Sequence, residues 1–444
     1  MDKKGTGFPF DIEFVIGLDM PDAKRYHSGN RNEIRTDCPF CGKKGKFYLN
    51  VTKGTYNCQM ADCRAHGGML ELHKELAHLP DRSAALKDLM AAYNKMSPAD
   101  RQALSVRAEM MKKEDSKPLH LADIEVRDRV YSRMLDYLPL ASEDRADLLR
   151  RGLTDQEIKR LRIVSTPVLC HTTAKVMLGE DYADTNKRYQ ESGSDIPCLY
   201  PMHGETYCVK MPSGILIPVL DRHGRIPMLQ SRRRNLPANA SEEEKRGYHK
   251  YSQLSSSWKE GGCSTSGIPK VHHIGFDFTS DKTPVQVCLT EGCLKADVAS
   301  FLEGGKAYIA VLGVNDVNQL GDEFHWLFAH GTRAIRIRLD MDFLKNTAVT
   351  MAWLDVNTML QKMGCVSLIQ KQYRNPEVQE VADRFKMILD AKHIPYTMFD
   401  RNTNLNEIVK GKTGLVFNDF WNPKYKGIDD FEKYRKTGEK LQSC

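Results

Sequence analysis

The chain has 444 residues, 41% of them hydrophobic and 28% charged, with a formal net charge of +7. That composition suits a globular protein of two or three domains, and no run approaches the roughly 20 apolar residues of a membrane-spanning helix. Pro9, Asp11 and Glu13 break the apolar core that a secretory signal would need, so a cytoplasmic protein is expected, and its mild basicity permits a nucleic-acid partner.

Residues 33–80 hold four closely spaced cysteines, Cys38 and Cys41 in CPFCG and Cys58 and Cys63 in CQMADCRAHGG. A CxxC turn presents two thiolates to one ion, and four soft ligands make a tetrahedral zinc site. The residues between the pairs read as two strands joined by a turn at Lys53-Gly54, a hairpin that returns the second pair to the first. The second pair has the wider CxxxxC spacing, and His66 is close enough to compete for the fourth position. A small zinc ribbon is therefore expected over 33–80, with zinc as a structural ion. Lys43, Lys44, Lys46 and Lys53 alternate with Phe47 and Tyr56. They offer phosphate contacts and a stacking surface for single-stranded bases, or else ordinary surface lysines over strand-facing aromatics.

Residues 81–163, rich in Ala, Leu, Arg and Asp, read as a helical linker region whose charges form a solvated face. From 164 to 283 short apolar runs are broken by Gly and Pro, as in GILIPVLDRHGRIPMLQ with His223-Gly224 at the turn. This predicts a mixed α+β subdomain with a polar, Arg- and Lys-bearing loop region. From 284 to 415 apolar strands alternate with helical stretches, which predicts an α/β fold with a parallel sheet and helices on both faces. Residues 416–444 read as a C-terminal tail.

The segment VCLTEGCLKAD puts Glu291 where a strand ends and Gly292 begins the turn into a helix; AIRIRLDMD ends in Asp340 and Asp342. Sites in open α/β sheets form at the carboxyl ends of strands, and alternation in an extended segment points Asp340 and Asp342 the same way. Three converging carboxylates repel unless a cation joins them, and hard oxygen ligands favour magnesium or manganese. KGKTG at 410–414 is no phosphate loop, because Asn406 stands where the first glycine belongs. His272 and His273 show no metal-ligand grouping and read as core or surface histidines.

The ordered set Glu291-Gly292, Val311-Leu312-Gly313 and Asp340-x-Asp342 resembles the TOPRIM domain of DnaG-type primases, topoisomerases and some nucleases. IPVLDRHGRIPMLQSRRR with YHKYSQLSSS is similar to the basic subdomain before TOPRIM in bacterial primases, and the cysteine segment resembles their zinc-binding domain. Together the three cover roughly 33–410 in primase order. TEGxxKAD, LLRRGLT and KGIDD look closer to primase-like proteins of phages and other mobile genetic elements. The resemblance implies Glu291 as the acid of the first TOPRIM motif and Asp340 and Asp342 as metal carriers. It implies Arg222, Arg225, Arg232, Arg233, Lys250 and Tyr251 along a groove for template and nucleotide, and arginine forks do suit phosphate oxygens. One departure is Lys295, where the family carries an acid; it would bind a nucleotide phosphate or cap the helix surface. The nearest acid is Asp297.

The expected activity is synthesis of short RNA primers on single-stranded DNA by metal-dependent nucleotidyl transfer from nucleoside triphosphates. A TOPRIM-type nuclease and a non-catalytic DNA-binding replication protein are the alternatives. A replicative helicase is a partner by resemblance alone, since no recognisable helicase-binding module follows.

Overall fold

The computed structural model describes residues 8–26, 33–60, 63, 65–115, 121–237, 239–241 and 248–438, which divide into two compact units at residue 119/120. The last residues of the 416–444 tail lie outside the described residues.

The first unit is an antiparallel five-stranded sheet in spatial order β1 (Arg25–Tyr26), β2 (Glu33–Thr36), β3 (Phe47–Asn50), β4 (Thr55–Cys58) and β5 (His66–Gly68). The expected hairpin is β3–β4, with Phe47 opposite Cys58 and Asn50 opposite Thr55. Alternation sends Phe47 and Leu49 into the core. That core also takes Ile12 and Ile16 from helix Ile12–Asp19, Leu72 from Met69–Leu76, Leu89 from Arg82–Lys95 and Leu104 from Pro98–Asp115. Arg107 Nε donates to Asp11 Oδ2 at 2.5 Å, which ties the last of these helices to the first. The 81–163 stretch is thus not one linker. Its first two helices bury Leu89 and Leu104 in this unit, whereas helix Ile124–Tyr137 buries Val130, Tyr131, Met134 and Leu135 in the other.

The second unit combines two main sheets. A four-stranded antiparallel sheet has the order β11 (Tyr251–Gln253), β10 (Met228–Arg233), β9 (Gly214–Val219), β6 (Val164–Ser165), and β7 (Leu199–Met202) pairs with β8 (Glu205–Cys208) beside it. The larger sheet has seven strands in the order β12 (Val271–Ile274), β14 (Tyr308–Val311), β13 (Gln286–Glu291), β15 (Ala334–Ile337), β18 (Leu415–Asn418), β16 (Val366–Gln370), β17 (Thr397–Phe399). Every pairing in it is parallel except β12 with β14. Fully apolar-faced strands such as β14, buried at all four residues, reflect helices on both faces. One apolar cluster joins the sheets: Ile215, Ile217 and Met228 pack with Cys293, Leu294 and Val298 of helix Cys293–Leu302.

Two expected boundaries move. Val271–Ile274, assigned by sequence to the 164–283 subdomain, is the antiparallel edge strand of the large sheet. Residues 416–418 are no tail: β18 crosses the 415/416 boundary, is buried at all four positions and lies between β15 and β16. A buried polar network locks it there. Asn418 Nδ2 donates to Ser367 Oγ at 2.9 Å, Ser367 Oγ donates to Asn357 Oδ1 at 2.7 Å, and Asn357 Nδ2 donates to Asn418 Oδ1 at 2.9 Å. Each partner lost from such a site leaves another unsatisfied away from water. Asn418→Ala should therefore lower stability by about 2–3 kcal/mol, read as a shifted urea midpoint; an unchanged midpoint would contradict the network's role.

Candidate functional site

The four cysteines are drawn together by the ribbon. Cys38 and Cys41 follow β2, Cys58 ends β4, and Cys63 sits in the loop before β5. Their sulfurs all lie within 4.8 Å of one another, with Cys38 Sγ 3.7 Å from Cys63 Sγ and Cys41 Sγ 3.8 Å from Cys58 Sγ. A tetrahedron with zinc–sulfur bonds of about 2.3 Å has edges of roughly 3.8 Å, so the cluster fits a structural zinc. Met60 N–H donates to Cys58 Sγ at 3.4 Å, as a thiolate ligand would use. Burial pushes the Cys58 and Cys38 thiols up, so ionising them calls for a cation. His66 is exposed on β5 opposite Asn57 and stands outside the four. The stacking surface expected from Phe47 and Tyr56 is not theirs to give. Both are buried, their centroids 5.3 Å apart, and Phe40 beside them is the exposed ring. Lys43, Lys44 and Lys53 remain exposed and Lys46 is half-buried.

At the large sheet, Glu291 ends β13 opposite Val311 at the end of β14. Gly292 then turns the chain at φ +89°, in the left-handed region that favours glycine, and its N–H donates to Val311 O at 2.7 Å. Asp340 lies three residues beyond the end of β15 and starts the single 3₁₀ turn Met341–Leu344. Asp340 and Asp342 are therefore brought together by that turn, not by strand alternation. Lys426 holds them: its Nζ is 2.9 Å from Asp342 Oδ2 and 3.7 Å from Asp340 Oδ2, and Met341 N–H donates to Lys426 O at 2.9 Å. Lys295, one turn into helix Cys293–Leu302, places its Nζ on Asp340 Oδ1. Although burial opposes its charge, Asp340, Glu291 and Asp429 hold the Lys295 ammonium above its ordinary range. Burial pushes the Glu291 carboxyl up, against the pull of Lys295 and Lys426.

Among the described residues, the four cysteines are the one group of three or more ligand side chains gathered within 4.8 Å. The three carboxylates are not all within 4.8 Å of one another, but the charges of Asp340, Asp342, Lys295 and Lys426 all act on Glu291. Asp342 Oδ1 is buried without a hydrogen-bond partner. An orphaned carboxylate oxygen costs free energy unless a cation, a water or another hydrogen-bond donor completes it.

Sequence reasoning missed part of this crevice. Helix Ile428–Thr437 brings Asp429 and Asp430 in its first turn, and Arg151 Nη1 lies 3.7 Å from Asp429 Oδ2. Burial, with Asp430 adding to it, pushes the Asp429 carboxyl up to about 6. The signal was KGIDD: charged residues flanking a glycine that lets backbone approach closely. A Cβ at Gly427 would collide with the Asp429 carboxylate and come within 3.1 Å of Lys295 Cε. Gly427→Ala should therefore displace both side chains and reduce any activity of the crevice by about tenfold or more, with the far-ultraviolet circular dichroism retained; full activity would show the close approach to be dispensable. Asp297 is not in the crevice. It is buried and accepts from His272 Nε2–H at 2.9 Å, while His272 Nδ1 accepts from Leu220 N–H at 3.0 Å.

The basic residues divide. Arg232 and Arg234 alternate onto the face toward helix Ser142–Arg150, whose Asp144 and Asp147 are three residues apart. Arg232 Nη1 donates to Asp147 at 2.8 Å and Arg234 makes a two-pronged pair with Asp144. Arg233 turns the other way, over the Tyr248 ring at 5.1 Å. Tyr251 pairs opposite Arg232, and the charges that act on it belong to Arg232, Arg151, Asp429 and Lys295. Lys250 is exposed beside it, its ammonium pushed down by partial burial and by Arg232 and Arg151. Arg232 and Tyr251 are thus strand neighbours, and the charges of Lys295 and Asp429 reach Tyr251. Arg222 and Arg225 do not join them: they sit in the β9–β10 turn, the length of a six-residue strand away from Arg233. There Arg222 lies 5.3 Å over the Trp326 ring, and Arg225 pairs with Asp221 at 2.8 Å and Glu125 at 2.7 Å.

No family model and no curated protein matches the chain. Several solved structures do. The zinc-binding and RNA polymerase domains of Aquifex aeolicus primase are 16% identical over 85% of this chain and 82% of that one, with a TM-score of 0.37. The E. coli primase catalytic core is 13% identical over 65% of this chain and 75% of that one, at 0.32. The RNA polymerase domain of Mycobacterium tuberculosis primase DnaG is 12% identical over 54% and 73%, at 0.38. No helix among the described residues is long and apolar enough to cross a membrane.

Proposed function

We propose that this chain is a DnaG-type DNA primase, a nucleotidyltransferase that joins ribonucleotides on single-stranded DNA. The supporting observation is the crevice at the strand ends. The charges of Asp340 and Asp342 act on Glu291, Asp342 keeps a buried oxygen unpartnered, and in this reading Arg232, Lys250 and Tyr251 form the adjoining wall. In the reaction a primer 3′-oxygen bonds to the α-phosphorus of an incoming nucleoside triphosphate, the bond to the β-phosphate oxygen breaks, and pyrophosphate leaves. Magnesium or manganese held by Glu291, Asp340 and Asp342 would neutralise the charge that builds on those oxygens. The chain's own cations do the remaining electrostatic work: Arg151 and Lys250 oppose the phosphates. In this reading residues 33–80 form the template-binding ribbon, with Lys43, Lys44 and Lys53 meeting backbone phosphates. The strands between 164 and 283 form the basic subdomain, and the large sheet is a TOPRIM catalytic domain.

Purified protein given mixed-sequence single-stranded DNA, labelled ribonucleotides and magnesium should produce short RNA oligomers. Shortened DNA with no oligomers would replace this reading with a nuclease. Template binding with neither product would replace it with a non-catalytic DNA-binding protein.

A further inference from the structure

The carboxylate crevice carries its own cations. Lys295 Nζ sits on Asp340 Oδ1, and Asp429 and Glu291 also face it. Its side chain is 19% exposed and is wedged against the Gly427 backbone, so close that a Cβ there would reach Lys295 Cε and Cδ. This is not a surface lysine free to wander among rotamers. Lys426 spans Asp340 and Asp342 from the other side. Glu291, Asp340, Asp342, Asp429 and Asp430 together face Lys295, Lys426 and Arg151. Lys295 thus already supplies, on Asp340 itself, positive charge of the kind a second divalent ion would bring to these acids.

We infer that Lys295 is a resident cation of this site, occupying the place of a second divalent ion, so that the chain works with a single one. Two-ion phosphoryl-transfer sites hold their metals about 3.5–4 Å apart across shared carboxylates. Here one oxygen of Asp340 is already taken by an ammonium. The open acceptor is Asp342 Oδ1, buried and unpartnered, which directs the one ion to the Asp342 side. This inference rests on the proposal that the carboxylates hold metal. Lys295 is a positioning residue: it fixes Asp340 and the charge of the site.

Manganese titration of the full-length, zinc-loaded protein, followed by the electron paramagnetic resonance of free manganese, tests this without reference to catalysis. One ion per chain is expected in the wild type and in Lys295→Arg, and two in Lys295→Met, with the additional ion lost again in Lys295→Met combined with Asp340→Asn. Two ions in the wild type, or one in a Lys295→Met protein that melts normally, overturn the role of Lys295. If Lys295→Met does not fold, the wild-type and Lys295→Arg stoichiometries decide: one in both supports the inference and two in either overturns it. No manganese in any of them overturns the metal reading itself, and with it this inference, a result distinct from the two-ion outcome.

Discussion

Primer synthesis should fall by about 10³-fold or more when Asp340 and Asp342 are both replaced with alanine, the scale set by removing pre-organised groups that stabilise transition-state charge. The two side chains are placed differently, and each supplies part of the effect. Asp340 is buried, with one oxygen on Lys295 and the other facing Lys426. Asp342 contributes the unpartnered oxygen. Removing both leaves Glu291 and Asp429 near Lys295, so the ammonium keeps counter-charges and the sheet beneath need not unfold. The check is a pair of measurements: oligomer yield at saturating magnesium and the thermal midpoint. Retained synthesis in a folded double variant would refute the assignment of these acids.

Zinc removal has the largest expected effect on stability. Stripping the ion with a chelator, or replacing Cys58 with serine, should unfold the first unit and leave the second folded. Structural zinc in small domains contributes an apparent 10–16 kcal/mol, about the whole stability of such a domain. The geometry explains why so little else would hold. Cys38 and Cys58 belong to the same small core as Phe47, Leu49 and Tyr56, and burial makes their thiols reluctant to ionise without a cation. Hydrogen exchange resolved by segment should show protection lost over β2 to β5 and kept over β13 to β15. Zinc far below one ion per chain in the native protein, or unchanged protection after chelation, would contradict this account.

The parts legible in the sequence were those set by local pattern. Cysteine spacing foretold the ribbon and its ligands, and alternating apolar strands and helices foretold the parallel sheet from β13 to β17. What sequence could not show was pairing over long separations. LVFN at 415–418 reads as a short apolar run after a loop, and nothing local says that it inserts between β15 and β16. The same limit hid Asp429 and Lys426, which reach the crevice only because β18 carries the chain back to it. Arginines misled for a related reason. Arg232 reads as a phosphate fork until Asp147, 85 residues upstream, is seen to take it. The resemblance groups Arg222 and Arg225 with Arg232, although a hairpin sends its turn and its open end in opposite directions.

The central position of β18 also sets an order of events during synthesis. Until residue 418 leaves the ribosome, β12, β14, β13 and β15 can pair among themselves, and β16 can pair with β17, but nothing joins the two groups. The nascent chain then exposes the edges of β15 and β16, both apolar and unpaired, a condition that invites wrong partners. Lys426 and the Asp429 helix arrive later still, so the carboxylate crevice gains its counter-charges only after the sheet is sealed. A chain interrupted shortly before residue 415 would therefore carry Glu291, Asp340 and Asp342 and yet be both inactive and prone to aggregate.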